Sequence, residues 1–229
     1  MQIKGLEKTS LLDYPEHIAV TIFTGGCNMR CPFCHNRDLV LNSPSDLIST
    51  DQLFDYLITR KLTHEAVCIT GGEPTLQEDL LDFMKEINQI GYKVKLDTNG
   101  LKPKILERAL EQNLLDYVAM DIKNTKIKYA NTAGITTQQL YNIEESVHLL
   151  MEDTVPYEFR TTTMKELHCL EDFILIGNWL KGSKKYILQQ YKSSPFQLSP
   201  QIFTSYSLQE LEEIKTEIVP FFGIIDIRA

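Results

Sequence analysis

Long apolar runs are missing from this chain of 229 residues: none approaches the ~18 that a membrane-spanning helix needs. The opening residues, MQIKGLEKTS, also lack the apolar stretch of a secretory signal. A cytoplasmic protein is the expectation. Blocks of lysine and arginine are missing too. With 31 acidic against 23 basic side chains and a net charge of −8, the chain lacks the basic face that non-specific nucleic-acid binding requires. A protein or a small molecule is the expected partner, with no nucleic acid and no membrane. Sequence repeats and low-complexity segments are absent as well. What the chain does have is 43% hydrophobic residues, enough for a sizeable core without staples.

The chain has five cysteines, an odd number, and three of them lie between positions 27 and 34. In a cytoplasmic chain such a cluster points to metal binding or catalysis before it points to disulfides. Cys68 and Cys169 stand alone, in AVCIT and LHCLE. Free cysteine usually packs as a small buried hydrophobe, and both are expected to do so.

Strand-like and helix-like stretches alternate. Runs rich in Val, Ile, Tyr and Phe, several with period-2 alternation, predict strands over His17–Thr24, Ala66–Thr70, Tyr92–Thr98, Asp116–Lys123, Tyr157–Met164 and Lys184–Tyr191. Helices are predicted over Thr50–Arg60, Glu78–Gln89, Pro103–Gln112, Thr137–Met151 and Glu171–Leu180, with start signals at Thr50 and Pro103 and a stop at Gly91. This rhythm means right-handed βαβ units and a parallel α/β sheet, either an open partial barrel or a doubly wound sheet. The tail, Lys192–Ala229, breaks the rhythm with a short helix near Leu208–Thr216 and a strand-like FFGIIDIR. It is expected to cap the domain or to add an edge strand.

In both architectures sites form at the carboxyl ends of the strands. Polar residues gather there: Gly25-Gly26-Cys27, Gly71-Gly72-Glu73-Pro74, Asp97-Thr98-Asn99-Gly100, Asp121 and Lys123, Arg160 and Thr162, and Gln189-Gln190. The strongest pattern is Cys27-Asn28-Met29-Arg30-Cys31-Pro32-Phe33-Cys34. Three thiolates in one tight loop can hold three irons of a [4Fe–4S] cluster and leave the fourth open, where most such clusters have four cysteine ligands. A zinc site completed by His35 is the alternative, though four ligands packed into nine residues would strain a tetrahedron. Gly71 and Gly72 let a ligand approach the backbone, and Glu73 offers an acceptor for an ammonium group. Asp97, Thr98 and Asn99 could equally be helix caps. Asp121 and Lys123 share one strand face, as do Glu158, Arg160 and Thr162. Surface ion pairs would explain them, but a central parallel strand is covered on both sides, so charges there need partners or a polar ligand.

The CxxxCxxC loop, GGEP (Gly71–Pro74), DTNG (Asp97–Gly100) and DIK (Asp121–Lys123) together resemble the radical S-adenosylmethionine (SAM) activases of glycyl-radical enzymes. KTSLLDYP at Lys8–Pro15, ahead of GCNMRCPFCHN, looks like the longer type of anaerobic ribonucleoside-triphosphate reductase activating protein. The resemblance covers about residues 1–190. It implies a partial (βα)6 TIM-like barrel over residues 1–191, with 192–229 a C-terminal extension packed on the same domain. It implies that SAM chelates the open iron and that an electron from a flavodoxin or ferredoxin enters the cluster. Methionine and a 5′-deoxyadenosyl radical would result, and the radical would take hydrogen from a glycine of the partner enzyme.

By motif, Cys27, Cys31 and Cys34 would hold the cluster, Phe33 would pack near adenine, and His35 follows the last cysteine as in the family. Gly71, Gly72 and Glu73 would receive the SAM amino group. Asp121, Lys123 and Arg160 would hold its ribose and carboxylate side, with Lys123 placed in the catalytic set. Asp97 and Asn99 complete the expected cofactor-binding residues. A monovalent cation is implied beside Asp97, Thr98 and Asp121. A peptide groove is expected between the His35–Asn42 segment and a Lys123–Gly134 loop, whose lysines could steer an acidic partner or simply be those of an ordinary solvated loop. Two departures stand out: Gln189-Gln190 where related activases often have histidine, and no further cysteine cluster. The rivals are a radical SAM enzyme acting on a small molecule, such as one like 7-carboxy-7-deazaguanine synthase, and a non-catalytic iron–sulfur or zinc protein.

Overall fold

Alternation along the strands decides the layering. In the strand Lys93–Thr98, Val94 and Leu96 are wholly buried in the main core, while Lys95 and Asp97 take the opposite face. The same division recurs in its neighbours, with Val20 and Ile22, Val67 and Ile69, Val118 and Met120, and Tyr186 and Leu188 turned toward the helices. The opposite face carries polar groups into the interior of a curved sheet.

The computed structural model describes all 229 residues. In chain order the elements are β1 (Ile3–Ser10), β2 (Ala19–Thr24), α1 (Arg37–Val40), α2 (Thr50–Arg60), β3 (Ala66–Gly71), α3 (Leu80–Ile90), β4 (Lys93–Thr98), α4 (Pro103–Glu111), β5 (Tyr117–Asp121), α5 (Lys126–Ala133), α6 (Leu140–Met151), β6 (Tyr157–Thr163), α7 (Leu170–Trp179), β7 (Lys185–Gln190), α8 (Leu208–Ile218) and β8 (Ile224–Arg228). The eight strands lie side by side in chain order. β2 to β8 are parallel, and β1 runs antiparallel to β2. With β1 and β8 as its edges the sheet is an open, partial barrel. The six predicted strands are β2 to β7, and all five predicted helices are present. No helix is long and apolar enough to cross a membrane.

Two elements differ from expectation, and the tail takes one of its two expected forms. β1 was not foreseen because IKGLEKTS lacks a clean alternation, and as an edge strand it is largely half-buried or exposed. The predicted 123–134 loop contains α5, a two-turn helix capped by the Thr125 hydroxyl, which accepts from Lys128 N at 3.3 Å. It stops at Gly134 in the left-handed conformation (φ 66°). The tail forms α8, with a Ser207–Glu210 capping box, and then β8, which adds an edge strand beside β7.

Candidate active site

The carboxyl ends of the strands open into one cavity of about 490 Å³, within the roughly 300–1,000 Å³ range of small-molecule sites. Every expected site residue lines it: the three clustered cysteines, Phe33 and His35, Gly71 to Glu73, Asp97 to Asn99, Asp121, Lys123 and Arg160. Gln189 and Gln190 line it too, and Gln190 also donates to Tyr206 O at 2.7 Å.

The cysteine loop is held from outside and braced within. Gly26 N donates to Leu39 O (2.7 Å), Arg30 N to Ala133 O at the end of α5 (2.8 Å), and Cys34 N to Cys31 O (3.1 Å). The C-terminal extension clasps the loop from another side, through Leu198 N to Cys34 O (2.9 Å) and Ser199 N to Pro32 O (3.1 Å). All five cysteines are free. Burial pushes the Cys31 thiol up to about 12 and raises Cys27 too, although Met29 N donates to Cys27 Sγ at 3.4 Å. These are thiols that keep their protons until a metal replaces them. The three sulfurs do not converge as the ligands of a single ion would; on a four-iron cluster each would meet its own iron. His35 Nε2 is buried without a hydrogen-bond partner, its ring 5.3 Å from that of Tyr191.

The next strand end is a tight backbone crossing. Gly71 has φ +119°, and a Cβ on Gly72 would stand 1.9 Å from Gly26 O, so both positions require glycine. Glu73, 1% exposed, is a buckle: it accepts from Thr75 N (3.1 Å), the Thr75 and Thr98 hydroxyls, and Asn99 N (2.7 Å). Glu73 thus ties the glycine turn to the end of β4. Neither Asp97, Thr98 nor Asn99 caps α4, whose cap position is Lys102. Asn99 instead reaches Asn28 Oδ1 (2.8 Å) and approaches Cys27 Sγ (3.8 Å).

Across the cavity runs a chain of charges. Asp97 accepts from Lys95 on one oxygen and from Arg160 (3.1 Å) and Thr70 (3.3 Å) on the other. Arg160 Nε donates to Asp121 Oδ1 and Lys123 Nζ to Asp121 Oδ2, both at 2.9 Å. Burial alone would raise both carboxyls. Arg160, helped by Lys95 at Asp97 and by Lys123 at Asp121, outweighs it and holds both below the usual carboxylate range. Asp121 and Arg160 are register partners in β5 and β6, so sheet pairing brings them together. Lys123 lies just past the end of β5, not on it. Its carbonyl accepts from His168 Nε2 at 3.0 Å, and its ammonium lies 6.0 Å from the Phe33 ring centre.

Some expectations fail. α5 buttresses the back of the cysteine loop, with Gly134 against Arg30, and does not flank an opening; of residues 123–134 only Lys123 lines the cavity. Lys126 and Lys128 are paired with Glu144 and Asp172, which leaves little free charge for steering. Cys68 is wholly buried, but Cys169 is exposed, its thiol 3.2 Å from Asp172. Lys95 and His168 were missed. Lys95 had a signal: a lysine two residues before Asp97 on a central strand is a charge that needs a partner.

Residues 21–166 match the radical SAM superfamily. The chain belongs to that superfamily. A Methanocaldococcus jannaschii relative, provisionally named a glycyl-radical enzyme activating enzyme, is 32% identical over 83% of this chain and 80% of its own. At that identity and coverage this radical SAM enzyme falls within the relative's family. The pyruvate formate-lyase-activating enzyme of Listeria monocytogenes is 26% identical over 95% of this chain and 92% of its own. A Thermococcus kodakarensis protein provisionally named GTP 3′,8-cyclase is 31% identical over 63% of this chain, which spans 47% of that protein. In fold, the chain is similar to Streptococcus suis SuiB bound to S-adenosylmethionine, with a TM-score of 0.71 at 13% identity over 90% of this chain and 49% of that one. Membership brings a [4Fe–4S] cluster and SAM. The donor set fits the cluster: three free thiols from one pinned loop on one cavity wall, with polar strand ends opposite. A monovalent cation fits less well, because the oxygens of Asp97 and Asp121 are already taken by cationic side chains.

Proposed function

We propose that this radical SAM enzyme is an activase that installs a glycyl radical on a partner enzyme, an anaerobic ribonucleoside-triphosphate reductase. The observation that carries this reading is the similarity to the M. jannaschii relative over four-fifths of both chains. The likeness to the Listeria activating enzyme along nearly the whole length supports it. Cys27, Cys31 and Cys34 would hold the cluster, which would supply one-electron reductive cleavage of the sulfur–carbon bond of SAM to methionine and a 5′-deoxyadenosyl radical. A flavodoxin or ferredoxin would supply that electron. That radical would take one hydrogen atom from the partner's glycine, leaving 5′-deoxyadenosine and the glycyl radical.

The chain's own groups orient SAM. Gly71 and Gly72 let its amino end approach the backbone beside Glu73. Phe33 and His35 form the aromatic wall for adenine. Arg160, Lys123 and Asp121 meet the carboxylate and ribose. Asn99 keeps Cys27 in register with the end of β4. Closing this wall around the ligand excludes water from the reacting carbon, and hydrogen transfer needs the glycine within a few ångströms of it.

Reduced, reconstituted protein mixed with SAM and an anaerobic ribonucleotide reductase should produce a persistent glycyl-radical signal in electron paramagnetic resonance. A silent reductase together with SAM-dependent turnover of a nucleotide or other small molecule would replace this reading with the rival one. The similarity to the T. kodakarensis protein favours that rival.

A further inference from the structure

The resemblance to activases places a monovalent cation beside Asp97, Thr98 and Asp121, and these are the groups that the fold has already committed. Asp97 is the decisive one. Its two oxygens face two cations, Lys95 from below and Arg160 from the neighbouring wall, with Thr70 completing the set. Asp121 divides its oxygens between Arg160 and Lys123. Thr98 spends its hydroxyl on Glu73 and accepts from Gly100 N at 3.1 Å. Three cationic side chains thus meet two carboxylates, with Lys95 and Arg160 largely buried. Bringing in another cation would add a surplus charge where it costs most.

Lys95 is the unusual member. Its side chain is 2% exposed, and it does not line the cavity. It rises through the barrel interior beside Cys68, whose Sγ lies 3.7 Å from Nζ, and ends on Asp97 Oδ1. Nothing about this position helps the lysine, since burying an ammonium is expensive unless it is paired. What it provides is a fixed positive charge under Asp97 that takes up none of the ligand's space.

We propose that the Lys95 ammonium is a built-in replacement for the monovalent cation, a positioning residue that aims Asp97, and through it Arg160, at the SAM site. The enzyme then needs no added alkali cation to bind SAM. This rests on the cavity being the SAM site.

The test is a potassium and sodium titration at constant ionic strength, with choline as the balancing cation. Two quantities are read: the SAM dissociation constant of the reconstituted protein, and the melting temperature of the metal-free, SAM-free protein. Wild type should be indifferent to potassium or sodium in both. Lys95→Met keeps an unbranched stem, one atom shorter, and removes its charge. In choline it should melt lower and bind SAM roughly ten- to a hundredfold more weakly, the range for losing one partner of a charge-assisted hydrogen bond. Potassium or sodium should restore both. A merely structural lysine would not make the variant's binding depend on an alkali cation, so a defect that neither ion relieves overturns the proposal. So does wild-type affinity that rises with potassium or sodium. If Lys95→Met does not fold, the wild-type titration still decides, and Lys95→Arg should remain indifferent to both ions. Wild type that binds no SAM under any condition would bring down the SAM-site reading, while the melting curves would still report on the cation.

Discussion

The cysteine loop and the charge chain face each other across the same cavity and are built on opposite terms. Around the loop, the backbone is pinned by at least five hydrogen bonds while the thiols stay free, with Cys27 and Cys31 raised by burial. Across from it, Asp97, Arg160, Asp121 and Lys123 satisfy one another within the protein. One wall is completed by the group it binds. The other is complete beforehand, so its geometry does not wait for the ligand. Preorganisation of this kind lowers the ordering cost at the moment of binding.

If that contrast is real, removing a thiol should have the largest effect, and the effect should be confined to the metal. Cys27→Ala, Cys31→Ala and Cys34→Ala should each abolish cluster assembly, read as iron and sulfide content after anaerobic reconstitution. Cys68→Ala and Cys169→Ala should retain it. Metal-free Cys34→Ala should unfold within about 1 kcal/mol of wild type. A Cys68 variant that lost its iron while one of the three kept it would dissolve the distinction.

A cut in the opposite wall should show in stability even without metal. Asp97→Ala leaves the Lys95 ammonium buried without its carboxylate, a loss on the order of 3–5 kcal/mol. The denaturant midpoint of metal-free protein reads it directly, and a midpoint equal to wild type would mean that the chain is not preassembled.

The smallest effect is in the pH dependence. Asp97 and Asp121 have folded values below their unfolded ones. The unfolded chain therefore binds more protons as pH falls. The stabilisation is complete above the ordinary aspartate value of about 4 and is lost progressively below it. Wild-type unfolding free energy should drop more steeply than that of Asp121→Asn in this acid range; parallel curves would show that Asp121 is not held down.

Local pattern carried most of the fold into view. Alternation and caps located β2 to β7 and five helices, because a strand buried between helices has to be apolar on one face along its whole length. β1 and α5 escaped because they are partly solvated, so their residues are under weaker compositional demand. Cys169 was misjudged for a related reason: its neighbours suit either the interior or an exposed helix start.

For the site, the division runs along chain distance. The cysteine spacing, the paired glycines and the polar strand ends were determined by the sequence alone, since they are properties of a single loop or a single strand. Which charge meets which was decided only by tertiary structure. Arg160 meets Asp121 because β5 and β6 pair in that register, and Glu73 is consumed by Thr98 and Asn99 because two strand ends abut. Lys95 lies beneath Asp97 rather than in solvent because β4 is covered on both faces. A side chain's type is written in the chain, but its partner depends on how the sheet brings distant segments together, and in this interior the partner sets whether a charge serves the ligand or the fold.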